Sequence, residues 1–591
     1  MKDKKIIILS IVGVLTLVSI VVATSYAYFV ANVSGNKDTN NVVVTNGVMA
    51  LEYKDGDEIN LGNAVPGNSV TKTFTVKNTG NVATNYTIYF SELSNKFVDK
   101  TDLVYTLTSS DGGKNVAQTQ VPSTNEAMVS NYAIEAGKTH TYTLTITFLN
   151  KDENQDDNQG VSFSTKVSIN ETKEKAYEVE PELAQGMIPV KFDASGNAVV
   201  ADTNSEWYDY EAHEWANAVL VNCADSNIKS KYFDSNNKVL ASAVGKTISM
   251  DEIMQMYVYI PRYKYQLFNA EDGTSVEQAI NIVFESKTTA KSTGTKNGEW
   301  LTHPAFTFGD KELAGIWVGK FETSNTAALP KIVPNGLSLT YMSVSDGFNT
   351  SRLMTTTLSS TYGTSTNDDS HMMKNMEWGA VAYLSSSIYG RYTNASTCIA
   401  SGCEVWINNI NTGYGNGAVV SGQVQWGPSI TGCAGTSTSA GVSNSQTACA
   451  SGYDWKTNGV NASTTGNQYG IYDMSGGAWE YVMGNYNDTI GYAGFSSMPE
   501  AKYYDKYTGT NSESDFTKYH LGDATKETVK TKSTGGNAWY QDYSYAVYSS
   551  YPWMLRGGSS SNGTAAGVFR FYDNNGNIGS GGSFRVAFSA L

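Results

Sequence analysis

Thr141-Tyr142-Thr143-Leu144-Thr145-Ile146-Thr147-Phe148 carries an apolar side chain at every even position and threonine at every odd one. Successive side chains of an extended chain point to opposite faces, so this stretch predicts a half-buried antiparallel strand with one wet face. Working outward, Val70 to Val76, Tyr86-Thr87-Ile88 and Phe163-Ser164-Thr165-Lys166-Val167-Ser168-Ile169 read similarly. Turn sequences lie between them: Pro66-Gly67-Asn68, Asn78-Thr79-Gly80-Asn81, Asp111-Gly112-Gly113 and Glu135-Ala136-Gly137. Strands at this spacing predict an antiparallel β-sandwich over residues 28–172.

Upstream, Lys2, Lys4 and Lys5 precede an apolar run from Ile6 to Ala23, and the exit Ser25-Tyr26-Ala27 has small residues where a signal peptidase reads. Residues 1–27 therefore predict a secretory signal peptide. The run approaches bilayer-spanning length, so an uncleaved anchor stays open as the alternative. In both cases the lysines stay inside and everything after residue 30 is delivered outside, to the cell surface or the medium. Contact with the membrane is expected only through this segment, if it is not cleaved.

Composition is in keeping with export. A chain of 591 residues suggests more than one domain, and hydrophobic residues at 40% can build real cores while charged residues reach only 16%. The 55 glycines and 38 tyrosines suit β-rich, loop-rich extracellular domains. A net charge of −15 provides no basic face for nucleic acid, which is not expected as a partner. Cys398 and Cys403 are close in sequence, as are Cys433 and Cys449, with Cys223 apart. These four predict disulfides, with three pairings open, and closing the loop from 433 to 449 would stabilise by about 3 kcal/mol. A zinc site would want Cys-x2-Cys pairs or nearby histidines, and the five histidines are scattered.

The exit Ala23-Thr24-Ser25-Tyr26-Ala27-Tyr28-Phe29, followed by Pro66-Gly67-Asn68-Ser69-Val70-Thr71-Lys72-Thr73-Phe74-Thr75-Val76-Lys77-Asn78-Thr79-Gly80, resembles the camelysin/TasA-type surface proteins of Gram-positive bacteria. That resemblance implies a jelly-roll or immunoglobulin-like sandwich and a Gram-positive-type source. It also implies a capacity for self-assembly, as in a biofilm-matrix or fibre subunit. Protease activity does not carry over, because the chain has no His-Glu-x-x-His. Residues 173–186 are charge-dense and read as a linker.

Residues 187–591 are rich in Trp, Tyr and Gly, and Met376, Ala380, Tyr383 and Leu384 predict one helix from about Lys374 to Ser386. His303-Pro304-Ala305-Phe306, Gly315-Ile316-Trp317-Val318-Gly319-Lys320-Phe321-Glu322, Gly466 to Val482, Leu555-Arg556-Gly557-Gly558-Ser559 and Ser583-Phe584-Arg585-Val586-Ala587-Phe588 follow one another in order. Together they resemble the formylglycine-generating-enzyme/sulfatase-modifying-factor family, which implies a loop-rich α+β domain of C-type-lectin-like fold. The chain as a whole is expected to be mainly β. Residues 187–300 fall outside the likeness, with Tyr257-Val258-Tyr259-Ile260-Pro261-Arg262 expected to open the core.

Trp479, Glu480, Arg556, Gly557, Gly558, Phe584 and Arg585 read as scaffold: a buried aromatic, arginines able to tie carbonyls, and glycines where backbones approach. The oxidising family members hold copper with a cysteine pair after the Arg-Gly-Gly-Ser segment, and this chain has no cysteine after Cys449. The resemblance therefore implies a non-catalytic member with no cofactor, and an enzyme with an unrecognised site is the remaining alternative. Structural calcium is open by the same likeness: Glu480 matches the motif ending in Trp-Glu, but Gly477 stands where the family has asparagine.

Between the two arginine motifs, residues 559–582 resemble the variable region of diversity-generating-retroelement target proteins. That implies a ligand-binding segment, with Ser559, Ser560, Arg570, Tyr572, Asp573, Asn574, Ile578 and Ser580 as candidate contacts to an extracellular protein or glycan. Tyrosine supplies rigid contact area, and Ser and Asn adapt their hydrogen bonding.

Overall fold

In the strand Thr139–Phe148 every even-numbered residue is buried and every threonine keeps partial exposure, as period-two alternation requires. The structure is a computed structural model. It describes residues 32–34, 40–41, 51–54, 59–61, 65–79, 84–123, 126–172, 180–203, 207–271, 274–392, 403–410, 428–436, 448–530, 536–578 and 582–591. The expected signal segment 1–27, linker residues 173–179, Cys398 and Ser580 lie outside the described residues. The fold is mainly β with a minor helical part. Packing divides the chain into two units, residues 1–176 and 177–591.

In the first unit, Thr139–Phe148 pairs antiparallel with Ser69–Asn78 on one side and Leu103–Ser109 on the other, inside a six-stranded sheet. A second sheet is built on Phe163–Thr172 and Thr84–Asn95. The inner faces share one core that includes Phe74, Tyr142, Leu144 and Ile146 from the first sheet and Tyr86, Ile88, Phe90, Val167 and Ile169 from the second. Two sheets closing on one core make a sandwich. At its centre the Tyr86 hydroxyl lies 2.6 Å from His140 Nδ1 and 2.5 Å from the Tyr142 hydroxyl, so the buried polar atoms satisfy one another.

The second unit begins before the linker composition ends. The Glu182 carbonyl accepts a 2.8 Å bond from Trp317 Nε1, Gln185 Nε2 reaches the Gly363 carbonyl at 3.2 Å, and Ala184 is buried. The expected linker 173–186 is thus shortened, because residues 180–186 pack on this unit.

Two sheets organise this unit among the described residues. One runs in the order Ala198–Val200, Ile188–Phe192, Asn217–Val221, Ile253–Pro261, Gly315–Gly319, Val586–Ser589, Asp369–Met372. Its central strand Ile253–Pro261 is buried at every position, which explains a run that is apolar but for Gln255, whose side chain bonds to the Pro330 carbonyl and the Tyr257 hydroxyl. The other contains Asp505–Tyr507, Glu480–Tyr486, Trp553–Gly557, Gly567–Asn574, Tyr543–Ser544 and Gly536–Asn537 in that order, with Ser583–Phe584 beside Glu480–Tyr486. The helix Asn375–Ser385 is buried on every face. Its Gly379 is required: a Cβ there would overlap the Gly522 carbonyl oxygen. Cys433 and Cys449 form a disulfide, and Cys223 is free and buried.

Candidate ligand-binding face

The strand Gly567–Asn574 pairs antiparallel with Trp553–Gly557, setting Arg556 opposite Phe571 and Leu555 opposite Tyr572. Alternation then sorts the expected binding residues onto two sides. Phe569, Phe571 and Asp573 share one; Arg570, Tyr572 and Asn574 share the other.

On the Arg570 side the groups stack. The Arg570 guanidinium lies 4.4 Å from the Trp479 ring centre and 5.4 Å from that of Tyr543, and it donates to the Ala565 carbonyl. Tyr572 is half-buried, with its ring 5.6 Å from Trp479, 5.2 Å from Tyr545 and 6.4 Å from Tyr543. The Tyr543 hydroxyl donates to that of Tyr545 at 3.0 Å. Asn574 Oδ1 accepts from the Tyr481 hydroxyl at 2.6 Å. Ile578 is 59% exposed.

Four expected contact residues are not at the surface. Ser559, Ser560, Arg570 and Asp573 are each at most 5% exposed. Ser559 is tied into its own turn, its hydroxyl 3.1 Å from Asn562 Oδ1, and the Ser560 amide bonds to the Gly477 carbonyl at 2.8 Å. Arg570 is covered because the ring planes of Trp479 and Tyr543 attract its flat cation, so it braces the face from beneath. Composition could not separate brace from contact, since both use polar residues.

The structure adds Tyr543, Tyr545, Tyr548, Tyr551 and Glu513 to this region. The Tyr545 amide donates to the Phe571 carbonyl at 3.1 Å, the Ala546 amide to the Glu513 carbonyl at 2.7 Å, and the Tyr548 and Tyr551 rings lie 5.6 Å apart. A signal was present: Tyr543-Ser544-Tyr545-Ala546-Val547-Tyr548-Ser549-Ser550-Tyr551 is as rich in Tyr and Ser as an antibody loop. Burial, then the nearby Glu513 carboxylate, pushes the Asp573 carboxyl up to about 7.

The scaffold residues lie beneath this face. Arg585 donates from Nε and Nη2 to the two Glu480 oxygens at 3.0 and 2.6 Å and also bonds to the Gly319 and Tyr472 carbonyls. Arg556 bonds to the carbonyls of Ala524 and Val568 at 3.2 Å and sits over Trp378 and Phe571. Gly557 and Gly558 both have positive φ, and a Cβ on Gly558 would press within 2.8 Å of Arg570 Cδ. Phe584 is buried, its strand running parallel to that of Tyr481.

Calcium does not fit the place that the family likeness suggests. Both Glu480 oxygens are engaged by Arg585, and Gly477 offers no side chain; a Cβ there would run into Glu322 Oε1. In the first unit Asp99, Asp102 and Glu153 converge, but the Lys151 ammonium already lies among them, 2.7 Å from Asp102 and 3.3 Å from Glu153. His371 is fully buried with Nδ1 3.0 Å from Asp369 and Nε2 3.0 Å from Glu377. Both ring nitrogens are spent, so it is an internal ion pair rather than a base facing a substrate.

No family model matches the chain, and no curated protein does. Among solved structures, 23% of the chain is similar to 38% of a chain in "Structure of infectious bursal disease virus Gx strain", with 11% identity and a TM-score of 0.12. The match spans well under half of that viral chain, and a similarity so low carries no argument. Among the described residues no helix is long and apolar enough to cross a membrane.

Proposed function

We propose that this is an exported bacterial surface protein. Its second unit is a non-catalytic, C-type-lectin-like head that binds an extracellular protein or glycan, and the first is its β-sandwich stalk. The observation that carries the reading is the face of Tyr543, Tyr545 and Tyr572, with Arg570 and Trp479 beneath it. Tyrosine rings give large contact area at small entropic cost, and a braced strand holds them in place before a ligand arrives. The face offers ring planes and phenols rather than a nucleophile held by a base. The Cys433–Cys449 disulfide is in keeping with an extracytoplasmic location.

Fluorescently labelled protein applied to arrays of glycans and extracellular protein fragments tests the proposal. Binding partners of the wild type should lose at least tenfold affinity for a Tyr543→Ala/Tyr545→Ala/Tyr572→Ala variant that melts cooperatively. Partners bound equally by both proteins would overturn it, and a bound copper or iron ion in metal analysis would revive an enzymatic reading.

One observation favours a second reading, a fibre or matrix subunit. Strand Val116–Gln120 pairs with Leu103–Ser109, is mostly exposed, and has neither charge nor proline to deter pairing with another copy. Electron microscopy of the purified protein under secretion-like conditions separates the two, since persistent monomers exclude the fibre.

A further inference from the structure

We propose that the second unit holds one calcium ion between the carboxylates of Asp542 and Glu404, in a small cavity walled by Gly567, Val568 and Phe569. This stands apart from the binding reading above and does not depend on it.

A strained turn delivers the first ligand. Tyr540 and Gln541 have φ of 58° and 71°, values that residues with a side chain rarely adopt, and they set Asp542 against the strand Gly567–Asn574. Asp542 Oδ2 accepts from the Phe569 amide at 2.9 Å. The carboxylate fits only because residue 567 is glycine, since a Cβ there would lie 2.1 Å from either oxygen. Asp542 is fully buried, and among the described residues its Oδ1 has no hydrogen-bond partner.

The cavity brings in the second ligand. Asp542 and Glu404 both line it, with Ser386 beside them, and it has about 10 Å³ of free space, enough for one water-sized guest. The nearby cations are spent elsewhere. Arg391 donates to the Asn461 and Ser463 carbonyls, Arg570 to that of Ala565, and Arg556 to those of Ala524 and Val568. Burial, then the charge of Glu404, pushes the Asp542 carboxyl well above its ordinary range. Burial likewise raises Glu404 to about 7, against the pull of Arg391.

The size of the cavity and the sign of its walls choose the guest. A water would give Oδ1 a donor but leave two carboxylates facing one space without a counter-charge, which is costly. A lysine or arginine side chain is too large for that space. Calcium accepts irregular shells of oxygen ligands at about 2.3–2.6 Å, whereas magnesium demands an octahedron and keeps several waters that the space does not hold. Bound there, the ion fastens the turn before Tyr543 to the strand that carries Tyr572.

The test is calorimetric titration of the intact, chelator-treated protein with calcium chloride, and with magnesium chloride as control. The urea midpoint of tryptophan fluorescence is the second readout. One calcium per chain should bind and raise that midpoint. Asp542→Asn and Glu404→Gln should each weaken binding by about tenfold or more and remove the rise. Asp99→Asn, in the exposed acidic group of the first unit, should change neither. A cavity that takes only water gives no calcium heat and overturns the proposal. So does calcium binding that survives both substitutions, that is lost in Asp99→Asn, or that magnesium equals. Should Asp542→Asn fail to fold, the half-buried Glu404→Gln decides alone.

Discussion

The two units bury charge in different measure. The sandwich has an apolar core with a small cluster of Tyr86, Tyr142 and His140 satisfied internally, and its buried charges, Lys72 and Asp102, lie outside that core. The second unit is threaded with charge: Arg262, Arg556, Arg585, Lys320, Glu322, Glu377, Glu480 and His371 are all fully buried. Lys320 alone ties Asn217, Gln468 and Gly470 together. A sandwich with regular strands can rest on burial and backbone ladders. A loop-rich unit has many carbonyls outside any ladder, and buried arginines and lysines gather them.

The largest test of this contrast is Arg585→Met. It strands Glu480 as an unpaired buried charge and should cost about 3–5 kcal/mol. All 11 tryptophans lie at residue 207 or later, so tryptophan fluorescence in urea reads the second unit alone. Adding Glu480→Met should restore most of the loss; a double variant as unstable as the single would mean that charge pairing is not the reason.

Leu144→Ala should cost the sandwich about 2–5 kcal/mol through the cavity it leaves. Amide exchange in residues 69–172 should accelerate while the tryptophan transition holds still. A shift of that transition would break the separation of the units.

His371 sharpens the comparison through pH. Burial alone favours its neutral ring, but Glu377 and Asp369 hold its proton to about pH 9, above the ordinary 6.5. The stability it contributes is complete below pH 6.5 and is lost as pH rises through 9. Asp369, held down to about 2 against its burial by His371 and Arg352, contributes stability above 3.8 that disappears as pH falls through 2. The urea midpoint of the second unit should decline between pH 7 and 9.5 in the wild type, with a shallower slope in His371→Gln.

The smallest effect belongs to the wet side of the sandwich, where Thr145→Ser should change stability by about 0.5 kcal/mol or less in the same exchange experiment.

Legibility follows the same divide. Thr141 to Phe148 announces its strand because one periodicity governs every residue, whereas the helix marked by Met376, Ala380, Tyr383 and Leu384 is buried on every face, so helical spacing describes only part of its apolar pattern. No period reaches from Arg585 to Glu480 and Gly319, so that core was visible only as residue types suited to scaffolding. At the candidate face, Tyr572 and Asn574 were legible as binding chemistry, but Arg570 and Ser559 offer the same polar character from buried positions. The Tyr- and Ser-rich stretch from Tyr543 to Tyr551 was legible as binding chemistry, but its place beside Tyr572 comes from the pairing of Ser544 with Phe571, which no periodicity discloses.

The strand Val586–Ser589 lies between Gly315–Gly319 and Asp369–Met372, and Arg585 bonds to Gly319 across 266 residues. A ribosome making about 5–20 residues per second needs on the order of tens of seconds to cover that distance. Until it has, the sheet lacks an interior member and the second unit cannot close. Under the export reading proposed above, this delay keeps the largest unit threadable through a narrow secretion channel until its final seam is made.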